Sequence, residues 1–447
     1  MKHVPPLPLR CLCLALLCLT LTQPATAQSG RELRYRGKLE SVDQRGNRQP
    51  VDEFSLLVII DGEPGTARTA YFAITEDTGD RLPWHERLGQ QRQQATDELP
   101  AGNDIQFGYR HNDRLRNVTL VPLFVPHEGP LTEGMRWMVD GKDHTVEGTT
   151  RVAGNECWQI EVPDRLGRWQ KLAVSKDSDT VLAARRRLFM GQGDRFELSV
   201  ELESQKDLDA AALEAVRKPL TTLLALKKTT DDSDTEESPQ ADPLEQLTAQ
   251  AAGTSLADFA TLVQRELKAN EQRARSVAEL ADRYVGAPLP EFELQQLDGG
   301  AYDRAAWSDK TIVLHFWEYR DEPLEQPYGQ VGYLDFLANR VDTDNVVVLG
   351  VAVDPRLTIR QTHPAAVRSV RKLKRFMNLG YEVTLDEGAA IKALGDPRRF
   401  ESALPLWVVI APDGKVVHYK VGLYSIDPNR GLEELEALVR DLQADRS

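Results

Sequence analysis

Cysteine is the scarcest reactive residue in this 447-residue chain, which carries only Cys11, Cys13, Cys18 and Cys157. The first three lie in an apolar opening run, so removal of that run leaves a single thiol. One thiol forms no intramolecular disulfide, no Cys-x-x-Cys redox pair and no cysteine zinc site. Cys157 stands between Glu156 and Trp158 in an apolar strand pattern and reads as a buried small hydrophobe. His85, His111, His127, His144, His315, His363 and His418 are scattered along the chain. No HExxH, paired-histidine or Asp-rich calcium motif exists, so neither a metal site nor a cofactor is predicted. Arg368, Arg371, Lys372, Lys374 and Arg375 form a basic run on one predicted helix, the pattern of a solvated face. Asn117-Val118-Thr119 is a glycosylation triplet whose meaning depends on the host.

Elements must position whatever chemistry remains. The chain is 41% apolar and 28% charged, enough for two to three domains of about 100–200 residues each. Its formal charge is −14, and loss of Lys2 and Arg10 with the opening segment makes the remainder more acidic still. That charge excludes sequence-independent nucleic-acid binding and opposes anionic lipid surfaces. Residues 1–27 read as a secretory signal: Lys2, His3 and Arg10, an uncharged apolar run over 11–22, then small residues at Ala25 and Ala27 before a cut. The run is shorter than the roughly 17–25 residues a spanning helix needs, and Leu17 before Cys18 departs from a lipoprotein pattern. The expected location is periplasmic or extracellular, with no integral membrane span.

The fold class expected is α+β and multidomain. Residues 31–205 alternate or run apolar between Asp-Gly and Gly-Asn turns and read as a meandering antiparallel β domain. Residues 78–103 read as a long connection. Residues 206–284 read as a helical linker, with Pro219 interrupting the first helix and an acidic, Ser/Thr-rich disordered stretch over 229–242. A helix start is expected at Thr254-Ser255. Residues 285–447 alternate strand and helix. Thr311–Trp317 and Asn345–Asp354 are continuous apolar runs, as in strands buried on both faces. Helices are predicted near 323–340 and 363–378. Two strands flank Asp413-Gly414, and a closing helix covers 429–442. A β-α-β start and a β-β-α end give an α/β domain.

These C-terminal residues resemble the thioredoxin-like superfamily, in particular its exported TlpA/ResA branch and the related peroxiredoxin (AhpC/TSA) redoxins. Val285-Gly286-Ala287-Pro288 through Phe292-Glu293-Leu294 is similar to the family's opening motif, and Asp298-Gly299 to its following turn. Val313–Trp317 resembles the strand ending in Phe-Trp, and Glu325-Gln326-Pro327 the Glu-x-Pro of the first helix. Ala403-Leu404-Pro405 resembles the cis-proline loop, and Val408–Lys415 the strand and turn after it. The resemblance implies that Leu404 and Pro405 edge a cleft that takes an extended protein segment by β-augmentation.

The departure falls at the reactive centre. The family places Trp-Cys-x-x-Cys after Phe-Trp, where this chain has Glu318-Tyr319-Arg320-Asp321-Glu322-Pro323-Leu324. Counting from Trp317, the two cysteines fall on Asp321 and Leu324; counting back from Pro327, on Tyr319 and Glu322. The peroxiredoxin register falls near Glu325. Disulfide exchange needs a thiolate, and peroxide reduction needs one that becomes a sulfenic acid; no residue here cycles between those states. Asp321 and Glu322 fit two roles, a recognition patch or caps of a helix with Pro323 in its first turn. No catalytic residue is assigned, and the predicted function is an exported binding or scaffolding protein with a degenerate active site. Two alternatives stand beside it. One is a thiol–disulfide oxidoreductase or peroxide reductase, as the resemblance suggests. The other is a lipid or lipoprotein carrier, since the β domain is similar in strand order to the curved sheets of periplasmic lipoprotein carriers. Trp137, Trp158, Trp169 and Phe189 would then line its apolar face, unless the helices of 243–284 fill it, which is the expected use of that face.

Overall fold

The computed structural model describes residues 30–444 apart from residue 65 and the stretches 78–81, 94–104, 112–113, 165–166, 191–192, 233–240, 319–329 and 428–430. The opening segment 1–27, read as a signal, lies outside the described residues. The described chain divides into two compact units. The first holds residues up to 232 with 241–264, and the second runs from 265 onward.

The first unit is built on twelve strands: β1 (Gly30–Val42), β2 (Arg48–Asp61), β3 (Arg68–Glu76), β4 (Leu88–Gln93), β5 (Gln106–His111), β6 (Arg114–Thr119), β7 (Arg136–Val139), β8 (Lys142–Val152), β9 (Asn155–Pro163), β10 (Trp169–Ser175), β11 (Val181–Met190) and β12 (Asp194–Leu208). Ten of them form one antiparallel sheet in the order β4-β3-β2-β1-β12-β11-β10-β9-β8-β7. Two meanders are thus zipped together along β1 and β12, from Gly30 opposite Leu208 to Ser41 opposite Phe196. The period of two is plain in β1, where Leu33, Tyr35 and Leu39 point inward and are buried. Gly37 falls in the same series because a Cβ there would lie 2.0 Å from the Phe54 ring. The Asp140-Gly141 and Ala153-Gly154 turns have positive φ at both residues (49° and 71°, 45° and 84°), as two-residue hairpin loops of the primed type require.

Two expectations for this unit are corrected. Residues 78–103 are not only a connection, because β4 lies within them and forms the sheet's edge. The apolar face is covered by the chain's own 105–125 segment. Phe107 of the β5–β6 hairpin stacks on Phe54 at 4.5 Å, and Tyr109 meets Phe196 edge-on at 5.5 Å. The core there holds Phe107, Val118, Leu120 and Phe124 and no residue of 243–284. The hairpin adjoins the sheet in sequence and brings large aromatics to a face that would otherwise expose Tyr35, Phe54 and Phe72.

Three helices follow: α1 (Ala210–Asp232), α2 (Ala241–Ala251) and α3 (Ala257–Tyr284). Pro219 lies inside α1 and does not interrupt it. Leu213, Val216, Leu220 and Leu223 are buried on both sides of it, and their packing offsets the lost hydrogen bond of about 3 kcal/mol. The flanks of the stretch read as disordered, 229–232 and 241–242, are helical, while 233–240 lies outside the described residues. Thr254 Oγ1 accepts from Leu256 N (3.2 Å), at the expected start of α3. Residues of α3 up to 264 belong to the first unit and those from 265 to the second. No helix among the described residues is long and apolar enough to cross a membrane.

The second unit carries a six-stranded sheet of β13 (Gln295–Gln296), β14 (Thr311–Glu318), β15 (Val346–Val353), β16 (Glu382–Asp386), β17 (Leu406–Ile410) and β18 (Val416–Val421), in the order β13-β16-β15-β14-β17-β18. β14, β15 and β16 run parallel and β17 runs antiparallel to β14. Both faces are covered, which is why these strands are continuously apolar. Val313, Trp317 and Trp407 face α4 (Val331–Ala338), α5 (His363–Phe376) and α7 (Glu433–Ala444). Ile312, Leu314 and Phe316 face α6 (Ala389–Ala393), residues 292–307 and Leu280 of α3. The molecule is therefore an α+β chain with an antiparallel β unit followed by a mixed α/β unit.

Candidate functional site

The expected site splits between residues the structure places and residues it does not. Tyr319, Arg320, Asp321, Glu322 and Leu324 lie outside the described residues, as does Glu325. Trp317, Leu404 and Pro405 are placed. The β14–β17 ladder ends with Phe316 opposite Leu406, so Trp317 and Pro405 are the next positions on adjacent strands. The Leu404–Pro405 peptide bond is cis. Pro405 is buried and its carbonyl accepts from Gly422 N at 2.8 Å. Leu404 is half-buried and makes no backbone hydrogen bond among the described residues.

An aromatic stack supports this corner. His315 lies opposite Trp407 in the ladder, and their rings stack at 3.8 Å. Trp407 Nε1 donates to Gly422 O at 3.0 Å, and Tyr424 meets the Trp407 ring edge-on at 5.2 Å. His418 Nε2 lies 2.6 Å from the Tyr424 hydroxyl. Burial first, then Lys420, holds His418 below its ordinary pKa. Burial pushes the Tyr424 phenol well above its usual range. The side chain of Gln330, fully buried, donates to Tyr424 O (2.6 Å) and accepts from Tyr424 N (2.9 Å). Gln330 thereby ties the start of α4 to the segment after β18.

Sequence reasoning missed a row of charges at the C-terminal ends of the three parallel strands, the end where α/β sheets place their ligands. Glu318 ends β14, Asp354 follows β15 and Asp386 ends β16. Asp386 accepts from the backbone N–H of Gly388, Ala390 and Ile391 and so starts α6. Asp354 binds the Arg356 side chain, and Asp396 binds the Arg398 guanidinium through two 2.8 Å hydrogen bonds. Arg398 also reaches Glu318 at 3.7 Å. Burial raises the Asp396 carboxyl, but its hydrogen bonds with Arg398 outweigh that and hold it below the usual carboxylate range. The missed signal was a repeat: Asp354-Pro355-Arg356 and Asp396-Pro397-Arg398 each begin a short 3₁₀ turn with Asp as cap and Pro in the first position. These groups are mutually neutralising and hydrogen-bonded, so they brace the strand ends.

No thiol lies in this unit. Cys157 is fully buried in β9 of the first unit, and burial pushes its thiol up, away from the reactive thiolate. Of the aromatic set expected to line a ligand face on the β unit, Trp169 and Phe189 line one cavity, and the three tryptophans each have a partner. Trp137 Nε1 donates to Pro126 O (2.7 Å), Lys176 lies over Trp158 and Arg187 over Trp169. No cluster of three or more His, Cys, Asp or Glu able to hold a metal occurs among the described residues.

Residues 285–419 match the AhpC/TSA family. No curated protein matches the chain. Among solved structures, it is similar to a secreted disulfide oxidoreductase of Mycobacterium tuberculosis homologous to E. coli DsbE, with 19% identity, a TM-score of 0.26, and 34% of this chain and 95% of that one covered. A thioredoxin-family thiol:disulfide interchange protein from Chlorobium tepidum is 20% identical, with a TM-score of 0.25 over 35% of this chain and 95% of its own. The exposed lipoprotein thioredoxin of Streptococcus pneumoniae is 19% identical, with a TM-score of 0.26 over 35% of this chain and 99% of its own.

Proposed function

We propose that this protein, whose C-terminal unit is a thioredoxin-like redoxin domain, is an exported binding or scaffolding protein that works without thiol chemistry. One observation carries the reading: the domain keeps the strand-and-loop frame of a redoxin but has no cysteine anywhere in 285–447. The only thiol beyond the opening segment is Cys157, buried in a different unit. A thiolate is required at the attacking position of disulfide exchange, and neither a carboxylate nor a phenol replaces it. What remains usable is the backbone. Leu404, one residue beyond Pro405 in the ladder direction, offers an N–H and a C=O, and an extended protein segment would pair with them as an added strand. Tyr319, Arg320, Asp321, Glu322 and Leu324 would then serve to recognise that segment rather than react with it. Export rests on the charged, apolar and small-residue order of residues 1–27, with cleavage near Ala27.

The test uses the mature full chain and its Cys157→Ser variant in insulin-reduction and peroxide-consumption assays. Neither protein turns over substrate above background on this reading. Turnover that disappears in Cys157→Ser overturns it and moves the active site to the β unit. Binding is read separately on an array of extended peptides, where Leu404→Pro, which deletes the N–H, abolishes capture. N-terminal sequencing of the secreted material should begin near Gln28.

A further inference from the structure

The first unit holds a cavity of about 350 Å³ over the end of β9, the start of β10 and the second half of β11. Its floor follows the sheet register: Val162 lies beside Gln170 and Gln170 beside Arg186, so the three share one face. β6 forms the facing wall, and Arg186 Nη1 donates to Thr119 O across the gap at 2.7 Å.

The charges lining the cavity do not cancel. Arg187 is committed to Glu197 (3.4 Å) and to the face of Trp169. Lys142 pairs with Asp164 at 3.8 Å. Arg168 and Arg186 remain, and neither has an ion-pair partner among the described residues. Arg168 acts on Arg186 as a like charge, and Asp164 opposes this more weakly. Burial and Arg168 together hold Arg186 below its ordinary value. A half-buried guanidinium that shares a cavity with a second one is unfavourable, unless an anion completes the pair. Asn117 and Gln170 also line the cavity and make no side-chain hydrogen bond among the described residues. The volume lies near the lower end of the roughly 300–1,000 Å³ usual for ligand sites, which suits a ligand smaller than a lipid.

We propose that this cavity binds a small hydroxylated organic anion, a sugar carboxylate or sugar phosphate, with its oxyanion between Arg168 and Arg186 and its hydroxyls toward Asn117 and Gln170. The forked guanidinium geometry matches either oxyanion. The carboxamides supply both donors and acceptors, as hydroxyl groups require.

Calorimetric titration of the full chain with glucuronate, glucose 6-phosphate, neutral glucose and inorganic phosphate tests this. At least one of the two charged sugars should bind about tenfold or more tightly than both glucose and inorganic phosphate. Glucuronate and glucose 6-phosphate separate the carboxylate from the phosphate source. Arg168→Ala changes an exposed residue and should leave the fold intact while weakening that sugar about tenfold or more. Arg186→Lys keeps the charge but loses the fork, and should also weaken it. The proposal fails if neither charged sugar binds, if glucose or inorganic phosphate binds as well, or if Arg168→Ala binds like the wild type.

Discussion

Gln330 is the residue whose removal most sharply tests the picture of the C-terminal corner. It is fully buried in the left-handed backbone region (φ 60°), and its carboxamide holds both the N–H and the C=O of Tyr424, 94 residues away. Gln330→Ala removes both hydrogen bonds. It strands the backbone polar groups of Tyr424, a residue only 5% exposed. Each orphaned group costs about 1–3 kcal/mol, so the pair costs about 2–6 kcal/mol. The backbone strain is common to alanine and glutamine and cancels. Urea unfolding followed by tryptophan fluorescence reads the effect, because Trp307, Trp317 and Trp407 are all buried in this unit. The expected result is a loss of about 2–6 kcal/mol with an unchanged m-value in the transition of this unit. Gln330→Glu gives a signed control. The ionised carboxylate cannot donate to Tyr424 O, whereas the protonated acid can. The folded state therefore raises the pKa of the introduced group, and the stability it contributes is present at low pH and lost as pH rises through that raised value. A Gln330→Ala protein within about 1 kcal/mol of wild type refutes the assignment of Gln330 as the clamp of this corner.

Three further outcomes are expected. Glu197 is 4% exposed and meets Arg48, Arg185 and Arg187, so Glu197→Ala should destabilise the first unit by about 1–3 kcal/mol; the partly exposed arginines recover solvation, which keeps the loss below that of a fully buried pair, and denaturant melts check it. His418 is held below its ordinary value of 6.5, so its contribution to stability is complete above that pH and falls as pH drops from there toward the folded pKa, by at most about 1.4 kcal/mol per pH unit; melts of wild type and His418→Gln across pH 7 to 5 should show a shallower slope in the variant. Cys157 should react with a thiol reagent at least about 10³-fold more slowly in the native protein than in denaturant, and comparable rates would contradict its burial.

Particular residues show how far the sequence alone reaches. The runs Thr311–Trp317 and Asn345–Asp354 place two central strands because a strand buried on both faces admits no polar position. β16 is not legible locally: Glu382–Asp386 is five residues long, and its polar Thr384 is accommodated by donating to Gly350 O at 3.3 Å, which only the neighbouring strand supplies. Gly350 itself looks like an ordinary strand glycine, yet a Cβ there would lie 2.7 Å from the Tyr381 ring. The Asp-Pro-Arg repeat stands in the sequence, but its use, once after β15 and once after α6, depends on where those elements end.

The sequence by itself determined that residues 285–447 supply no thiol, because no fold creates a cysteine that the chain lacks. Periodicity of two and alternating strand–helix order, which are local properties, made an antiparallel β part and a C-terminal α/β part legible, whereas the division inside α3 at residue 264 was not. Tertiary structure decided what covers each face. The hairpin over the β unit, the continuation of α1 through Pro219 and the meeting of Gln330 with Tyr424 all join residues whose local patterns are silent about each other. It also decided where charge is left without a counter-charge. Arg168 and Arg186 are ordinary surface arginines in the sequence; the register of β9, β10 and β11 sets Arg186 beside Gln170 and Val162, and Arg168, just before β10, lines the same cavity. Register is fixed by burial across strands, a long-range quantity that no local pattern contains.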